Sequence, residues 1–585
     1  MKKLLIFVFA LLLCLLATSA LAAETTYSGV CDPIVVNTAG EHTIILNGVT
    51  INSTNGSAIS IKSPASKLTI ILKDGSTNTL KGQTISSNYV NGTGYAGINN
   101  NGVDLVIRCE SAEHGHTCSD SCGKLTITGG NHAAGIGGDT DNNLEGNITI
   151  EGGNIIANGG GILSAGIGGG ENGHMTGTVK ITGGIVEANG TTSAAGIGGG
   201  SYGHLKGAVK ITGGIVKANN YSYYGYYNAG IGGGFHGNLE GTVEITGGTV
   251  IAKAGEESSG IGGGYGLNGS TYLSGTVTIS GGNVTAMGGS QGAGIGGNGD
   301  GGLSGNVIIT GGNVTATGGT NGAGIGGGHS ADLSGTVKIT GGNVTATGSN
   351  ELAMATGIGG GYFGSITSTG KVIIEGGTVN ATGRWAGIGC GTRDYPHPES
   401  GQMNGSITIS GGTVTAVAQY GPGVSGPVTL DPIVGAIVVK KGSNEDDALE
   451  LEDSPYDSKT TLYSLGMSYV HFRPGTPHFC SGGTATCKNL AVCGGCGKTY
   501  GELAVNNHVH KIILPAVPAT TVSTGLTEGL KCSDCQTIII PQQIIPMLPS
   551  DLPQTGDDTN FAFLILLAAA GMIGMTIILR RKNEA

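Results

Sequence analysis

The residues best suited to chemistry in this chain of 585 are its cysteines and histidines, and most of the cysteines fall into two clusters. The first comprises Cys109, His114, His116, Cys118 and Cys122. Three thiols and two imidazoles in so short a stretch suit tetrahedral zinc, with Cys109, Cys118, Cys122 and His116 as the ligand set. Such a site would pin a loop, because the donors leave no open catalytic position. The competing reading is a disulfide with a spare thiol, for which Cys31 or Cys390 could supply a partner. The second cluster comprises Cys480, Cys487, Cys493-Gly-Gly-Cys496, His508, His510 and Cys532-Ser-Asp-Cys535. Its two CxxC pairs can hold one structural zinc through Cys493, Cys496, Cys532 and Cys535, although their separation is longer than usual. Cys487 with His508 or His510 is the alternative. A redox role fits less well, since no βαβ pattern surrounds either CxxC.

Other chemistry is sparse. Asp139, Asp141, Glu145, Asp300, Asp332, Asp394 and Glu399 are scattered over different loops, whereas polysaccharide cleavage needs clustered carboxylates or a calcium-bound group beside a base. Residues 139–143 and 298–301 carry the oxygens of a calcium loop, but solvated turns are the preferred reading. No nucleophile elbow or phosphate loop is present. The GxGGG runs precede no helix, so a dinucleotide fingerprint is excluded. The net charge of −11 argues against nucleic acid. What stands out instead is aromatic. Tyr202, Phe235, Tyr265 and Tyr362 follow GIGGG phrases, Tyr221, Tyr223, Tyr224, Tyr226 and Tyr227 form a Tyr-rich insertion, and Trp385 is the lone Trp. Exposed rings on a rigid wall can stack on sugars, and those at 202, 221, 223, 224, 226, 227, 235 and 265 are the candidate ligand contacts. Loops covering coil edges are the plainer alternative. His174 and His204 occupy matching loop positions and read as polar loop residues rather than ligands.

These residues are carried by a repeat. Gly177-Thr-Val-Lys-Ile-Thr-Gly-Gly-Ile-Val-Glu-Ala-Asn-Gly190 is followed by Ala195-Ala-Gly-Ile-Gly-Gly-Gly200, and variants of both phrases return with a period of about 30. Val179, Ile181, Val186 and Ala188 alternate with Lys180, Thr182 and Glu187, and Gly183-Gly184 marks a corner. Each repeat therefore holds three short alternating strands and no helix. Such units stack as a parallel β-helix of about 10–12 coils, apolar inside and Thr-laddered outside. Asn283, Asn313 and Asn343 recur at one bend and should stack as amides.

The ends carry export signals. Residues 1–22 have Lys2 and Lys3, an apolar run and Ala20-Leu-Ala22, a secretory pattern. Near the other end, Leu552, Pro553, Gln554, Thr555 and Gly556 spell an LPxTG pentapeptide. An apolar stretch of membrane-spanning length and Arg580-Arg-Lys582 follow it. This resembles the sorting signal of Gram-positive sortase substrates. The resemblance implies that sortase reads these five residues and cleaves between Thr555 and Gly556. An amide from Thr555 to peptidoglycan would follow, with the membrane involved only in the precursor. Organisation follows: degenerate coils over 23–125, regular coils over 126–420, a capping region with an acidic run over 421–470, and a Cys/His-rich module resembling a zinc ribbon over 471–540. A spacer over 541–551 then leads to the sorting segment, 552–585, with its transmembrane helix.

The phrases HTIILNGVTI, LTIILKDGSTNTLKG and ITGG…AGIGGG resemble bacterial β-helical carbohydrate-binding domains, which look like pectate-lyase-type solenoids without the lytic machinery. The resemblance covers roughly 30–430. It implies binding of acidic or plant-type polysaccharide, sometimes with calcium, and transfers no binding residue. The expectation is a cell-wall-anchored, extracellular, non-enzymatic protein whose β-helix binds carbohydrate. A stalk or coat without specific ligand is the alternative, and a polysaccharide lyase or hydrolase is the less favoured third.

Overall fold

A computed structural model describes residues 24–549, apart from 87–91, 112–120, 221–226, 267–271, 349–352, 393–400, 452–453, 464, 476–480 and 495–498. The chain divides into two units, Met1–Pro477 and His478–Ala585.

The first unit winds short strands into a parallel β-solenoid, with no α-helix among the described residues. In one repeat, Thr178–Ile181 and Ile185–Gly190 are the two longer strands and Ile197–Gly198 is the short third. Each pairs in parallel, in register, with its equivalents one turn away: Val179 with Val209, Val186 with Val216, Ile197 with Ile231. The short strands alone form a sheet of 12, one per turn. Period-two alternation dictates what is inside. Val179, Ile181, Val186, Ala188 and Ile197 are completely buried, and so are Val209, Ile211, Val216, Ala218 and Ile231 in the next turn. A fourth apolar position stacks beside them. Leu144, Met175, Leu205, Leu239, Leu273, Leu303 and Leu333 bridge one to the next and are fully buried. Burying each such Leu or Ile contributes about 1.5–3 kcal/mol. The core is thus a set of continuous aliphatic columns.

Corners are set by glycine where the backbone demands it. Gly184 turns with φ +85, and Gly198 sits at φ +145 with its carbon so close to the next turn that a Cβ would lie 1.9 Å from the Gly232 oxygen. The expected amide stack is present: Asn313 Nδ2 donates to Asn283 Oδ1 at 2.9 Å, and Asn343 continues the register. A second amide stack joins Asn158 and Asn189, at 2.9 Å.

Strand direction reverses at the far end. Tyr469–Gly475 runs antiparallel against Thr413–Ala418 on one side and Ala436–Gly442 on the other. Phe472 is fully buried between them. This closes the last aliphatic columns, as the open end of a solenoid requires, and it extends the covering strands to residue 475.

The second unit has little core. Its short antiparallel pairs are Ala491–Val492 with Thr499–Tyr500, Lys511–Leu514 with Gly529–Cys532, and Gly525–Leu526 with Ile544–Ile545. Among its described residues, the buried hydrophobic side chains are Ala491, Cys493 and Cys532.

Candidate functional site

Successive turns place side chains at one corner about 4.8 Å apart, and the corner after GIGGG is where rings gather. Phe235 and Tyr265 occupy equivalent positions, with ring centroids 6.2 Å apart. Tyr202 does not share that position. The residue matching Phe235 is Ser201, because Ser201 intervenes after Gly200, and Tyr202 matches His236 instead. The backbone shows the offset: Tyr202 N–H donates to Phe235 O, and His236 N–H donates to Tyr265 O. Tyr202 and His236 both adopt left-handed conformations, φ 59 and 57, and their rings stack at 5.3 Å with planes 9° apart. Tyr227, from the end of the Tyr-rich insertion, lies 5.6 Å from Phe235 and 5.1 Å from Tyr265. The four tyrosines Tyr221, Tyr223, Tyr224 and Tyr226 lie outside the described residues. The outcome is one cluster of five rings: Tyr202, Tyr227, Phe235, His236 and Tyr265. Tyr202 is 50% exposed, so its face is open to solvent. The strip is interrupted at Gly299–Asp300 and resumes with His329, Tyr362 and Phe363, where Tyr362 and Phe363 are 4.3 Å apart. Trp385 is half-buried, with its ring against Gly421, and takes no part.

A groove of about 280 Å³ adjoins the rings, lined by Ile162, Leu163, Glu171, Thr192, Ser193, Ser201, Tyr202 and Phe235. Two of its features were not foreseen from sequence. Ser201 is fully buried, and its Oγ has no partner among the described residues. Glu171 accepts from, or pairs with, Nδ1 of the fully buried His132 at 2.7 Å, while Nε2 of His132 has no partner among the described residues. No spacing rule joins His132 to Glu171; only the coil register does.

The scattered carboxylates and histidines mostly serve the scaffold. Asp139 accepts from Ala96 N at 2.7 Å, Asp141 from Asn172 Nδ2 at 2.7 Å, and Asn143 from His174 N at 2.8 Å. Burial raises the Asp139 carboxyl above its ordinary value, against the pull of those bonds. Asp332 accepts from Ser365 N at 2.7 Å. His174 and His204 belong to the same scheme. His204 N donates to His174 Nδ1 at 3.0 Å, and Asn238 N donates to His204 Nδ1 at 3.1 Å. At Asn143, His174, His204, Asn238 and Asp332, the polar residue just before a stacked Leu or Met thus takes the backbone N–H of its counterpart in the next turn. Burial, with Lys206 nearby, lowers both imidazoles despite Glu240, whose Oε1 lies 3.1 Å from His204 Nδ1.

The thiols assemble as a mixture of the two sets read from sequence, the second CxxC with the alternative pair Cys487 and His508. In the second unit, ligand atoms of Cys487, His508, Cys532 and Cys535 lie within 4.8 Å of one another. Cys493 is not in this group; it is buried at the end of Ala491–Val492. Cys496 lies outside the described residues, as do Cys480, Cys118, His114 and His116. Near the start of the solenoid, Cys109 and Cys122 come within 3.4 Å, with Asp74 beside them. Cys390 is remote from them, in the last parallel turns. It accepts from Ile366 N, and burial pushes its thiol up to about 11, which leaves it inert.

Comparison with known families finds two matches. The Beta helix repeat matches residues 148–171, 179–201, 209–235, 243–265, 277–300, 307–329, 337–362, 372–392 and 407–426. The LPXTG cell wall anchor motif matches residues 550–585. That span contains the whole pentapeptide read from sequence, Leu552, Pro553, Gln554, Thr555 and Gly556. All five lie outside the described residues, so the motif match rather than any geometry bears on them. No curated protein and no solved structure matches the chain. The anchor motif implies sortase-mediated attachment to peptidoglycan. With β-helix repeats along the solenoid and this motif beyond it, the chain is a cell-wall-anchored, extracellular surface protein of a Gram-positive bacterium, built on a parallel β-solenoid.

Proposed function

We propose that the solenoid, exported by residues 1–22 and linked to the wall through Thr555, binds carbohydrate along its aromatic corner without cleaving it. The observation that carries this reading is the cluster of Tyr202, Tyr227, Phe235, His236 and Tyr265, half-buried to exposed, on consecutive turns of a rigid wall. Flat apolar faces at this spacing match the apolar faces of successive sugar rings, and the adjoining groove offers Glu171 and Thr192 to hydroxyls. A binding rather than cleaving role is supported by the carboxylates: Asp139, Asp141 and Asp332 each accept a bond that ties one turn to another. Conservative loss of the rings tests it. Tyr202→Gly removes a ring while matching a left-handed φ that Gly adopts freely, so folding stability should stay within about 1 kcal/mol. Combined with Phe235→Ser and Tyr265→Ser, it should abolish retention on the polysaccharides that retain the parent in affinity electrophoresis. Serine at Tyr221, Tyr223, Tyr224 and Tyr226, introduced into the parent chain, should by itself weaken retention. Unchanged retention in the folded triple variant would remove the aromatic corner as the site.

A further inference from the structure

From geometry independent of the carbohydrate reading, we infer that Cys487, His508, Cys532 and Cys535 form a closed structural zinc site that organises the second unit. The distances support tetrahedral ligation. Zn–S of about 2.3 Å and Zn–N of about 2.0–2.1 Å, at tetrahedral angles, require S···S edges of about 3.8 Å and S···N edges of about 3.5 Å. Cys487 Sγ and Cys532 Sγ are 3.6 Å apart, and Cys535 Sγ and His508 Nδ1 are 3.4 Å apart. Both are edges of such a tetrahedron, and the sulfur pair is well beyond the roughly 2.05 Å of a disulfide. Three thiols also leave one unmatched in any disulfide scheme confined to this group.

Each ligand is delivered by the backbone. Lys511 pairs with Cys532 across the antiparallel strands, which sets His508 beside the CxxC turn. In that turn Cys532 N donates to Thr537 O at 2.9 Å, Gln536 N donates to Cys532 O at 3.1 Å, and Gln536 takes a left-handed φ of 65. Cys487 arrives from a distant segment because its N–H donates to Asn507 O at 3.1 Å, one residue before His508, while Asn507 Nδ2 donates to Ala485 O at 2.7 Å. Ligands so placed have no fourth position left for water, which makes the site structural rather than catalytic.

A second observation points the same way. Cys532 is fully buried, yet Ile512, Ile513, Ile538, Ile540 and Ile544 of the same unit are each at least half exposed. A unit with so small a core needs a staple, and metal ligation supplies free energy of folding directly.

Cobalt substitution tests the site on the full chain, purified in reducing buffer, stripped with chelator and titrated with zinc or cobalt. Expected are tight zinc uptake and, with cobalt, the thiolate charge-transfer absorption of a three-sulfur tetrahedral site. Cys487→Ser and Cys532→Ser should each lose that signature, and Cys493→Ser should keep it. His508→Cys should intensify it as a four-sulfur site; this variant keeps the test decisive if the serine variants fail to fold. The inference is overturned if the signature survives Cys487→Ser and His508→Cys unchanged, if reduced chain takes up no metal, or if the native chain proves to hold a Cys487–Cys532 disulfide by mass.

Discussion

At the scale of single residues, the solenoid is fastened by side chains that accept backbone N–H groups from the next turn. His174 and His204 do this with neutral imidazoles. Their lowered native values mean that the unfolded chain takes up protons more readily. Their contribution to stability is therefore complete above about pH 6.5, and it is lost as pH falls through the lowered native values. The urea midpoint of unfolding should drop between about pH 7 and about pH 5. In the His174→Asn/His204→Asn double variant, which installs the amides found at Asn143 and Asn238, that drop should shrink; an equal drop would place the titration elsewhere. Sequence reading placed both histidines correctly as loop residues but missed the ladder, because its members share a position and not a residue type. The signal was available: each stands just before a recurring Leu or Met. Tyr202, Tyr227, Phe235 and Tyr265 were legible as rings of the cluster, whereas His236 was not, because Ser201 shifts Tyr202 by one position and so stacks it on His236. The thiol group was legible in its parts: Cys532 and Cys535 announce themselves by spacing, and Cys487 with His508 stand as the alternative to the first CxxC pair, but only bonds between segments far apart in sequence bring the four together.

At the scale of the element, period-two alternation dictates strand faces so strongly that Val179, Ile181, Val186, Ala188 and Ile197 were all identifiable as interior from their pattern. The fourth apolar column, through Met175 and Leu205, was not, since an isolated bridge leaves no alternating run to detect. A tight constraint that combines close approach with a positive φ lies at the short third strand. Gly198→Ala would put a Cβ 1.9 Å from the Gly232 oxygen at a φ of +145. The next turn would have to move, so a loss of about 3 kcal/mol or more is expected in denaturant unfolding. A loss below about 1 kcal/mol would mean that adjacent turns are far less tightly stacked. The same change at Gly29, where a Cβ meets nothing within 4 Å, carries only the backbone strain of its φ of +72 and should cost less.

At the scale of the whole molecule, a wall anchor holds the solenoid outside the cell, and the role proposed for the aromatic corner is to bind carbohydrate there. The aliphatic columns alone would suit a passive stalk equally well; the ring cluster, with Tyr202 open to solvent, and the groove beside it favour a binding surface. The most direct measurement is a glycan-array screen of the purified chain, run with calcium and again with chelator, alongside the Tyr202→Gly/Phe235→Ser/Tyr265→Ser variant. The account predicts saturable, selective binding to a narrow class of glycans, lost in the variant and retained in chelator, because the loop carboxylates of residues 139–143 are engaged in coil-to-coil bonds. A blank array with folded protein, or binding that the triple variant leaves intact, would contradict it and leave the solenoid as a stalk.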